Sequence, residues 1–560
     1  MRRTGIVYII GGIFSLLLSI GVFINVDKVF NYAYVSNSEG VVDDISVVEN
    51  KGTGRTVTFN STVEKVLGTT TPKKDLETTP NVNTSSSKTI HMLEEEKYRN
   101  MDFNWESNTG DSENSGGRTT SSRLPASAPR NSDKEVMGFM PYWQLPKYQS
   151  LQYDKLTAIS YFALTCYDNG EWVMGDDPGY QGFRSQNFKN MVNLAHQNNT
   201  KVYLVVKNFH NRSIRDLVAN KNGAGDKLIN NIVKVIRDNN LDGVNIDFEY
   251  IPDSSYPVTT TLRANFVSWH DKLADRMHLE FPGSVVSTDV FGSSAAGYSA
   301  YDIAGLGATS LDYIMFMNYD YITTSCYNGK RIFPMSPLYG NSNWNVSYHL
   351  GEAVKKAPAG KILMGIPYYG IDFAVKQSEF SSYNALVNYP SCGGVIETYG
   401  SVVDPAFDAY HNPNSIKWNN TDKATWYSYV YNGQYRHGYY DDPKSLAAKY
   451  DYARNTKLGG IGIWALGYDA GTNDLWNVLR DKFQRGPFIL AFSVSTSNER
   501  ALQIISALKL DIVSSVGSNV WKVRPQSGIT FNSIKAAKTY PEVVVAEFEN
   551  YTSGRDIILP

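Results

Sequence analysis

From residue 135 onward, short apolar runs alternate with segments of helical periodicity, and this alternation restricts the fold of the chain most strongly. Eight apolar runs predict strands, at 135–143, 156–164, 201–209, 241–250, 283–291, 311–320, 361–370 and 459–469. Apolar residues recur at helical spacing between the third and fourth runs and again after the fourth. Alternating strands and helices form a parallel sheet, and eight such units predict a closed (β/α)8 TIM barrel of the α/β class.

The predicted barrel domain covers 134–487, and an insertion of about 371–442 separates its seventh and eighth strands. The stretch TWYSYVYNGQYRHGYYDD places alternating aromatic residues around an Asn-Gly pair. This pattern predicts a hairpin, so we expect a small α+β insertion beside the barrel mouth. A helix from Pro443 to about Thr456 then restores the barrel pattern.

The last segment, 488–560, forms a separate predicted module. Its pattern is strand, helix, two strands, helix and strand, which is the split βαβ arrangement of a ferredoxin-like α+β module. Its ending YPEVVVAEFENY resembles the prodomains of subtilisin-like proteases. This module is a candidate contact for another protein.

The N-terminal part of the chain predicts a membrane anchor and a tether. Residues 5–24 form an uncharged apolar run long enough to span a bilayer, and Arg2 and Arg3 precede it. The positive-inside rule leaves residues 1–4 in the cytoplasm and exports the rest, so we expect a single-pass membrane protein with the predicted barrel domain on the extracytoplasmic side. A cleaved signal and a secreted protein are the alternative. The polar composition of 25–133 predicts a disordered linker, with an isolated β element at GRTVTFNSTVEKVLG.

Charge and cysteine content argue against a nucleic-acid-binding protein and against a metal site built from cysteines. The formal net charge is −2 and no basic stripe is visible, so we expect no nucleic-acid partner. The three cysteines, Cys166, Cys326 and Cys392, lack metal-ligand spacing, and their odd number leaves at least one unpaired. If the protein is exported, two of the three cysteines can still form one disulfide bond.

The fourth strand run, LDGVNIDFEY, places Asn245, Asp247 and Glu249 at every second position. Side chains alternate between the faces of a strand, so these three share one face and the apolar residues between them share the other. In a barrel the polar face lines the interior, with Glu249 nearest the mouth where barrel enzymes keep their active sites. Two acids buried together shift each other's pKa, which suits proton transfer.

Two other interpretations of this run stay open from the residues alone. A half-exposed antiparallel strand would carry the acids on a solvated face. A Ca²⁺ or Mg²⁺ site would use the same carboxylates and amide, although no oxygen-rich loop accompanies them. We expect neither a metal nor an organic cofactor.

The segment DGVNIDFE, which begins with Asp242 and Gly243, closely resembles the signature of glycoside hydrolase family 18, whose members include chitinases and N-acetylglucosaminidases. The resemblance extends over about 135–487 through MGFMPYW, MFMNYD, KILMGIPYYG and GGIGIWALGYD. The last motif and Asn245 are similar to the bacterial branch of spore-cortex and other peptidoglycan-acting glucosaminidases. The resemblance implies substrate-assisted catalysis, in which the substrate itself supplies the nucleophile.

The resemblance implies roles for the acids. Glu249 would protonate the leaving glycosidic oxygen while the 2-acetamido oxygen of the substrate attacks the anomeric carbon. Asp247 would orient the acetamido N–H and stabilise the oxazolinium ion, and its charge would raise the pKa of Glu249. Tyr319 would donate a hydrogen bond to the acetamido carbonyl.

The resemblance also implies a substrate-binding set. Asp320 matches a sugar-binding carboxylate, Met317 lies under the same site, and Trp464 matches the floor on which the reactive sugar packs, although aromatic burial alone would equally place it in the core. Further mouth aromatics, for which core packing is an equal alternative, are Tyr142, Trp143, Tyr368 and Tyr369.

Two departures from the family pattern affect the expected activity. Asn245 stands where many chitinases carry Asp, so we expect it to hold Asp247 by a hydrogen bond rather than to share a proton. The third strand, VVKNFH, lacks the Ser-x-Gly-Gly pattern of chitinases, which disfavours crystalline chitin. The sequence thus predicts a membrane-anchored glycosidase that cleaves β-1,4 bonds of N-acetylglucosamine polymers, with peptidoglycan favoured over chitin oligomers. A non-hydrolysing glycan-binding envelope protein is the alternative.

Overall fold

The computed structural model describes residues 88–101, 103, 122–125, 132–404, 415–483, 488–525 and 536–548, and also the backbone of four short strands before residue 60. The chain divides into two compact units, Met1–Thr79 and Pro80–Pro560. In the first unit, Ser36–Asn37 pairs with Gly40–Val41, and Ile45–Asn50 pairs with Gly54–Phe59, both antiparallel. The second pair places a β element at the start of the predicted GRTVTFNSTVEKVLG stretch.

The predicted membrane segment, 5–24, lies outside the described residues. Within the described part of the chain, every helix is too short or too polar to cross a bilayer. The predicted disorder over 25–133 is wrong for the strands before Gly54 and for the helix Ile90–Tyr98, which we call the cleft helix. Thr89 caps this helix, because its hydroxyl oxygen accepts a hydrogen bond from the amide of Met92 at 3.4 Å.

The predicted barrel is confirmed: eight parallel strands close into one sheet in chain order. They are β1 (Glu135–Pro141), β2 (Ala158–Thr165), β3 (Lys201–Asn208), β4 (Gly243–Phe248), β5 (Val285–Phe291), β6 (Tyr313–Met317), β7 (Ile362–Pro367) and β8 (Gly460–Trp464). Closure comes from the pairing of β8 with β1, and it leaves no sheet edge in the barrel.

Helices cover the outside of the barrel between these strands. They are Pro178–Arg184, Gln186–Gln197, Asn211–Val218, Ala224–Asp238, Thr260–Glu280, Ile303–Ala308, Val346–Val354, Pro443–Asn455 and Asp474–Phe483. Short 3-10 turns lie at Tyr142–Ser150, Tyr153–Lys155, Lys221–Gly223, Ala359–Lys361 and Gln377–Glu379. The helix predicted from Pro443 is confirmed, and Asp442 and Ser445 form its capping box.

The two faces of β4 have the predicted directions. Phe248 points outward and stacks on Trp269 of the helix Thr260–Glu280, with ring centroids 5.5 Å apart. Burying an aromatic side chain of this size stabilises the fold by about 2 kcal/mol. Asn245 points inward, where its amide nitrogen donates to side chains of β5. The alternation along β4 therefore separates barrel packing from the site chemistry.

The insertion forms an antiparallel five-stranded sheet of Val395–Thr398, Tyr369–Ala374, Gln434–Tyr440, Ala424–Tyr431 and Lys417–Asn419, in that order, with a short helix at Tyr399–Val402. The predicted hairpin is present, and its two-residue loop places Asn432 at φ 48° and Gly433 at φ 73°. Two successive positive φ values require an Asn-Gly type of turn. A disulfide joins Cys326 to Cys392, and Cys166 is a free buried thiol.

The C-terminal segment contains the strands Phe488–Phe492, Leu510–Gly517, Val520–Pro525 and Val543–Phe548 and the helix Asn498–Ala507. All strand pairs are antiparallel, and the sheet order, numbered along the chain within this segment, is second, third, first, fourth. Its small core includes Phe488, Ile504 and Trp521. Most of the region where we predict the second helix, 526–535, lies outside the described residues, so the complete ferredoxin-like module stays a prediction.

Candidate active site

Two acids lie side by side at the C-terminal end of β4. Asp247 and Glu249 are both fully buried. The backbone that carries them is fixed on both sides: the amide of Glu249 donates to the carbonyl of Asn208 on β3 at 3.1 Å, and the hydroxyl of Tyr301 donates to the carbonyl of Phe248 at 2.7 Å. Their placement at the mouth is the one that barrel enzymes use for catalysis.

The first two residues of the motif support this strand from below. The carboxylate of Asp242 accepts hydrogen bonds from the amide of Val202 and the ring Nε2 of His196, each at 2.8 Å. A Cβ on Gly243 would lie 2.2 Å from the carbonyl oxygen of Val285. Both residues therefore secure the strand at the end away from the acids.

The expected hydrogen bond from Asn245 to Asp247 is replaced by a different arrangement. The amide nitrogen of Asn245 donates to Asp289 Oδ1 at 2.9 Å and to Ser287 Oγ at 3.0 Å, both on β5. Asn245 thus orients Asp289, an inward acid that the sequence analysis missed. Its signal was the alternation of Ser287 and Asp289 in the apolar run SVVSTDVF.

Burial and mutual repulsion shift the protonation of this acid cluster. Burial, followed by the charge of Asp247, raises the pKa of Glu249 above its usual value of 4.5. The same two causes, in the same order, raise the pKa of Asp289 well above its usual value. Glu249 is therefore favoured as a proton donor, since a carboxyl that keeps its proton at higher pH can act as an acid.

The sixth strand delivers the next predicted residues to the same mouth. Tyr319 and Asp320 follow β6; Tyr319 is buried and Asp320 is half-buried. The hydroxyl of Tyr369 donates to Asp320 Oδ1 at 2.5 Å, and burial raises the pKa of Asp320 to about 6. Met317 is the last residue of β6 and lies on the same strand face as Met315, whose side chain would contact a Cβ at Gly462 inside the barrel.

The predicted aromatic residues separate into cleft and core positions. Trp464 ends β8 and is fully buried, and its ring lies 4.7 Å from that of Phe162. Trp143 follows β1 and donates from Nε1 to the hydroxyl of Tyr468 at 3.1 Å. Tyr142 packs edge-on against Trp143 at 4.8 Å, whereas the hydroxyl of Tyr368 lies 3.2 Å from that of Tyr450, beneath the barrel helices.

Residues before the barrel complete the cluster, and the sequence analysis missed them. Nδ1 of His91, in the cleft helix, lies 2.7 Å from Glu249 Oε1 and 3.4 Å from Asp247 Oδ2. Burial alone would lower the pKa of His91, but the negative charge of Glu249, together with the hydrogen bonds to Asp247 and Glu249, raises it well above 6.5. The ring is therefore an imidazolium that donates to Glu249. The polar composition around His91 had predicted a linker.

Among the described residues, the group with metal-ligand geometry is His91, Asp247 and Glu249, whose ligand atoms lie within 4.8 Å of one another. Ligand atoms that share a zinc ion are roughly 3.3 Å apart, given metal–ligand distances of about 2.0–2.2 Å. The 2.7 Å separation of Nδ1 and Oε1 is instead that of a direct charge-assisted hydrogen bond. The geometry supports an ion pair rather than a metal centre.

Comparison with known proteins places this site in a family. The family model of glycosyl hydrolases family 18 matches residues 135–469. The chain is 24% identical over 258 residues to the probable di-N-acetylchitobiase 1 of Dictyostelium discoideum, across 43% of this chain and 65% of that protein. It is 25% identical over 299 residues to the cortical fragment-lytic enzyme of Bacillus subtilis (strain 168), across 52% of this chain and 63% of that protein. Less than two thirds of either relative is therefore spanned.

The fold matches solved structures as well. The crystal structure of Ostrinia furnacalis group IV chitinase in complex with allosamidin superposes with a TM-score of 0.53 at 21% identity, covering 62% of this chain and 98% of that one. This likeness concerns the fold. Because the family match runs from β1 through Trp464 and includes both acids of β4, the chain belongs to glycosyl hydrolases family 18, a family of glycosidases.

Proposed function

We propose that this enzyme cleaves β-1,4 bonds of N-acetylglucosamine-containing polymers by substrate-assisted, retaining catalysis. The observation that carries the proposal is the arrangement of Asp247 and Glu249 at the end of β4, with Tyr319 and Trp464 converging on them. Most glycosidases use a second carboxylate as nucleophile or base, but this family uses the acetamido group of the substrate as nucleophile. A buried acid with a raised pKa beside a second carboxylate suits that mechanism.

The steps follow from the placement of each group. Glu249 gives its proton to the leaving glycosidic oxygen, and the acetamido carbonyl oxygen attacks the anomeric carbon from the opposite face. Asp247 holds the acetamido N–H and balances the positive oxazolinium ion that forms. Tyr319 donates to the acetamido oxygen, and water, deprotonated by Glu249, then opens the ring with net retention.

Peptidoglycan is the favoured substrate on two grounds. One relative is named a cortical fragment-lytic enzyme, and β3 lacks the Ser-x-Gly-Gly pattern of chitinases. We further infer that residues 5–24 anchor the chain in the membrane, with the barrel on the extracytoplasmic side, since the run is long, uncharged and preceded by Arg2 and Arg3. Chitin oligomers remain the second substrate class.

The sheet order of the C-terminal segment supports a ferredoxin-like assignment for 488–560, because the order second, third, first, fourth follows from a split βαβ connection. Its contact with another protein is part of the proposal. Deleting 488–560 should leave hydrolysis intact and abolish partner capture if this assignment is correct.

The test is mass spectrometry of products after incubation with purified peptidoglycan and, separately, with chitin oligomers, with Glu249→Gln as the blank. New reducing-end N-acetylglucosamine from peptidoglycan alone supports peptidoglycan as the substrate. Cleavage of chitin oligomers alone would identify chitin oligomers as the substrate instead. Binding of either glycan without hydrolysis would favour the glycan-binding alternative. Location is checked by fractionation of cells and by protease accessibility of the barrel.

A further inference from the structure

We propose that residues 88–101 are an internal inhibitor: the cleft helix occupies the sugar-binding cleft and must leave it before a glycan can bind. The inference rests on the proposed function, because it takes the cleft to be the glycan site. Five contacts from this segment reach residues at the C-terminal ends of β1, β3, β4, β6 and β8, so it lies across the barrel mouth.

One face of the cleft helix makes the contacts. Its buried residues are Ile90, His91, Glu94 and Glu95, which recur at one-turn spacing and share a face. Glu96 and Lys97 lie on the other face and are exposed. The helix therefore presents a polar face to the cleft.

His91 occupies the place that we assign to the reactive sugar. Its ring lies over Trp464 with centroids 4.0 Å apart, and Nδ1 donates to Glu249. Nε2 lies 3.4 Å from the hydroxyl of Tyr319, the group that we assign to the acetamido oxygen. A sugar stacked on Trp464 needs the same volume, so the helix and the substrate exclude each other.

Two buried carboxylates of the helix are matched by polar groups of the cleft. Glu94 accepts hydrogen bonds from Trp464 Nε1 at 2.8 Å and from the hydroxyl of Tyr468 at 2.5 Å. Glu95 forms an ion pair with Lys207 of β3, which is itself buried. Burying a carboxyl group is costly unless it is hydrogen-bonded or paired with a cation, so these matches indicate a complementary surface rather than a chance contact.

The two ends of the segment 88–101 cover parts of the cleft on either side of Asp247 and Glu249. The amide of Ile90 donates to Asp320 Oδ2 at 3.2 Å. Tyr98 stacks flat on Trp143, with ring centroids 5.0 Å apart and an interplanar angle of 12°. An aromatic face of this kind is a platform for a sugar ring, so the inhibitor covers positions on both sides of the reactive one.

The composition of the contact face makes the inhibition reversible. Of the four buried helix residues, Ile90 alone is aliphatic, so little apolar area holds the segment. A helix of nine residues is also marginal in isolation. The segment therefore depends on its polar matches, and removing two of them should free it.

The experiment uses the full chain with His91→Ala/Glu94→Ala, and Glu96→Ala on the exposed face of the same helix as the matched control. Initial rates are measured on peptidoglycan and on chitin oligomers, and hydrogen exchange is measured for the amides of 90–98. We expect the double variant to be at least tenfold faster than wild type and to lose amide protection, while the control stays within twofold. A synthetic peptide of 88–101 should restore inhibition of the double variant, and the doubly substituted peptide should not.

Equal rates for wild type and the double variant would overturn the inhibitor. A different result would separate the two proposals. If none of the three chains hydrolyses either substrate, the proposed hydrolysis is wrong. The inhibitor is still supported in that case if the amides are protected in wild type and only the double variant binds chitin oligomers. Absence of hydrolysis together with unprotected amides in wild type would overturn the inhibitor as well.

Discussion

Glu94 makes inhibition by the cleft helix depend on pH. Burial raises the pKa of this carboxyl from 4.5 to about 7, although hydrogen bonds from Tyr468 and Trp464 oppose the rise. Of the charged groups that act on it, His91 lowers its pKa and Asp320 raises it, both by smaller amounts. In the closed cleft Glu94 therefore carries a proton up to about neutral pH.

The sign follows from the two states of the segment. When the helix leaves the cleft, Glu94 is exposed to water and its pKa returns to about 4.5. Because the pKa is higher in the closed state, that state is most stable below pH 4.5, and it loses stability as the pH rises to about 7. A pKa change of this size corresponds to roughly 3.4 kcal/mol, or about 300-fold in the closing equilibrium.

The assay compares initial rates of wild type and Glu94→Gln from pH 4.5 to 7.5. Glutamine has the shape of the protonated carboxyl, so this variant stays closed, and the titrations of His91 and of the catalytic acids are common to both chains. We expect the wild-type rate divided by the variant rate to rise with pH, by at most about 300-fold, and to level off above pH 7. Glu96→Gln should give a flat ratio. A wild-type to Glu94→Gln ratio that is flat or falls with pH would show that Glu94 does not control the closing of the cleft.

Three further predictions concern the barrel itself. Glu249→Gln, introduced into the His91→Ala/Glu94→Ala chain, should lower kcat by about 10²–10⁴-fold while circular dichroism shows an intact fold, since it removes the general acid; a rate within twofold of the His91→Ala/Glu94→Ala chain would contradict the assignment. Asp289→Asn should raise the stability at pH 7 and have little effect at pH 3.5, because the raised pKa of Asp289 destabilises the fold only above its usual value; denaturation midpoints at the two pH values decide this, and an equal change at both would argue against it. Cys326→Ser/Cys392→Ser should lower the stability by about 4 kcal/mol, from the 66-residue separation that the disulfide closes; reductant should lower the melting temperature of wild type and leave that of the double variant unchanged.

The barrel could be predicted from sequence because its signal is local. The ends of each predicted strand lie within a few residues of the ends of the observed strand. The boundaries are visible in the sequence because buried parallel strands are continuous apolar runs, whereas the helices between them have a helical period. The Asn-Gly hairpin was predictable for the same reason, because its turn needs positive φ at both positions. The acids of β4 needed only the alternation of side chains along one strand.

The cleft helix could not be found in this way. Its contact face is polar, so it has no apolar stripe, and its surroundings are rich in Ser and Thr. What fixes it is a set of partners that are distant in the chain, such as Lys207 for Glu95 and Trp464 for Glu94. Asp289 was missed for a related reason, because its role depends on pairing between β4 and β5.

The charge of the site explains why histidine suits the centre of the inhibitor. In the proposed mechanism, hydrolysis develops positive charge beside Asp247 and above Trp464, and the imidazolium of His91 places a cation in that position. Burial acts against this charge, but Glu249 and Asp247 raise the pKa of His91 well above 6.5, so the ring is charged at neutral pH. The inhibitor thus uses the electrostatic field that stabilises the reaction intermediate.

Removing the charge of His91 while keeping an aromatic ring should weaken the inhibitor. A peptide of 88–101 with His91→Phe can still stack on Trp464, but it has no proton to donate to Glu249. Added to the His91→Ala/Glu94→Ala chain at pH 6, it should inhibit at least tenfold more weakly than the unaltered peptide. Since the contribution of a raised pKa is complete below about 6.5 and is lost as the pH rises through the raised value, the difference between the peptides should shrink at high pH. Equal inhibition by both peptides at pH 6 would show that His91 acts by filling space alone.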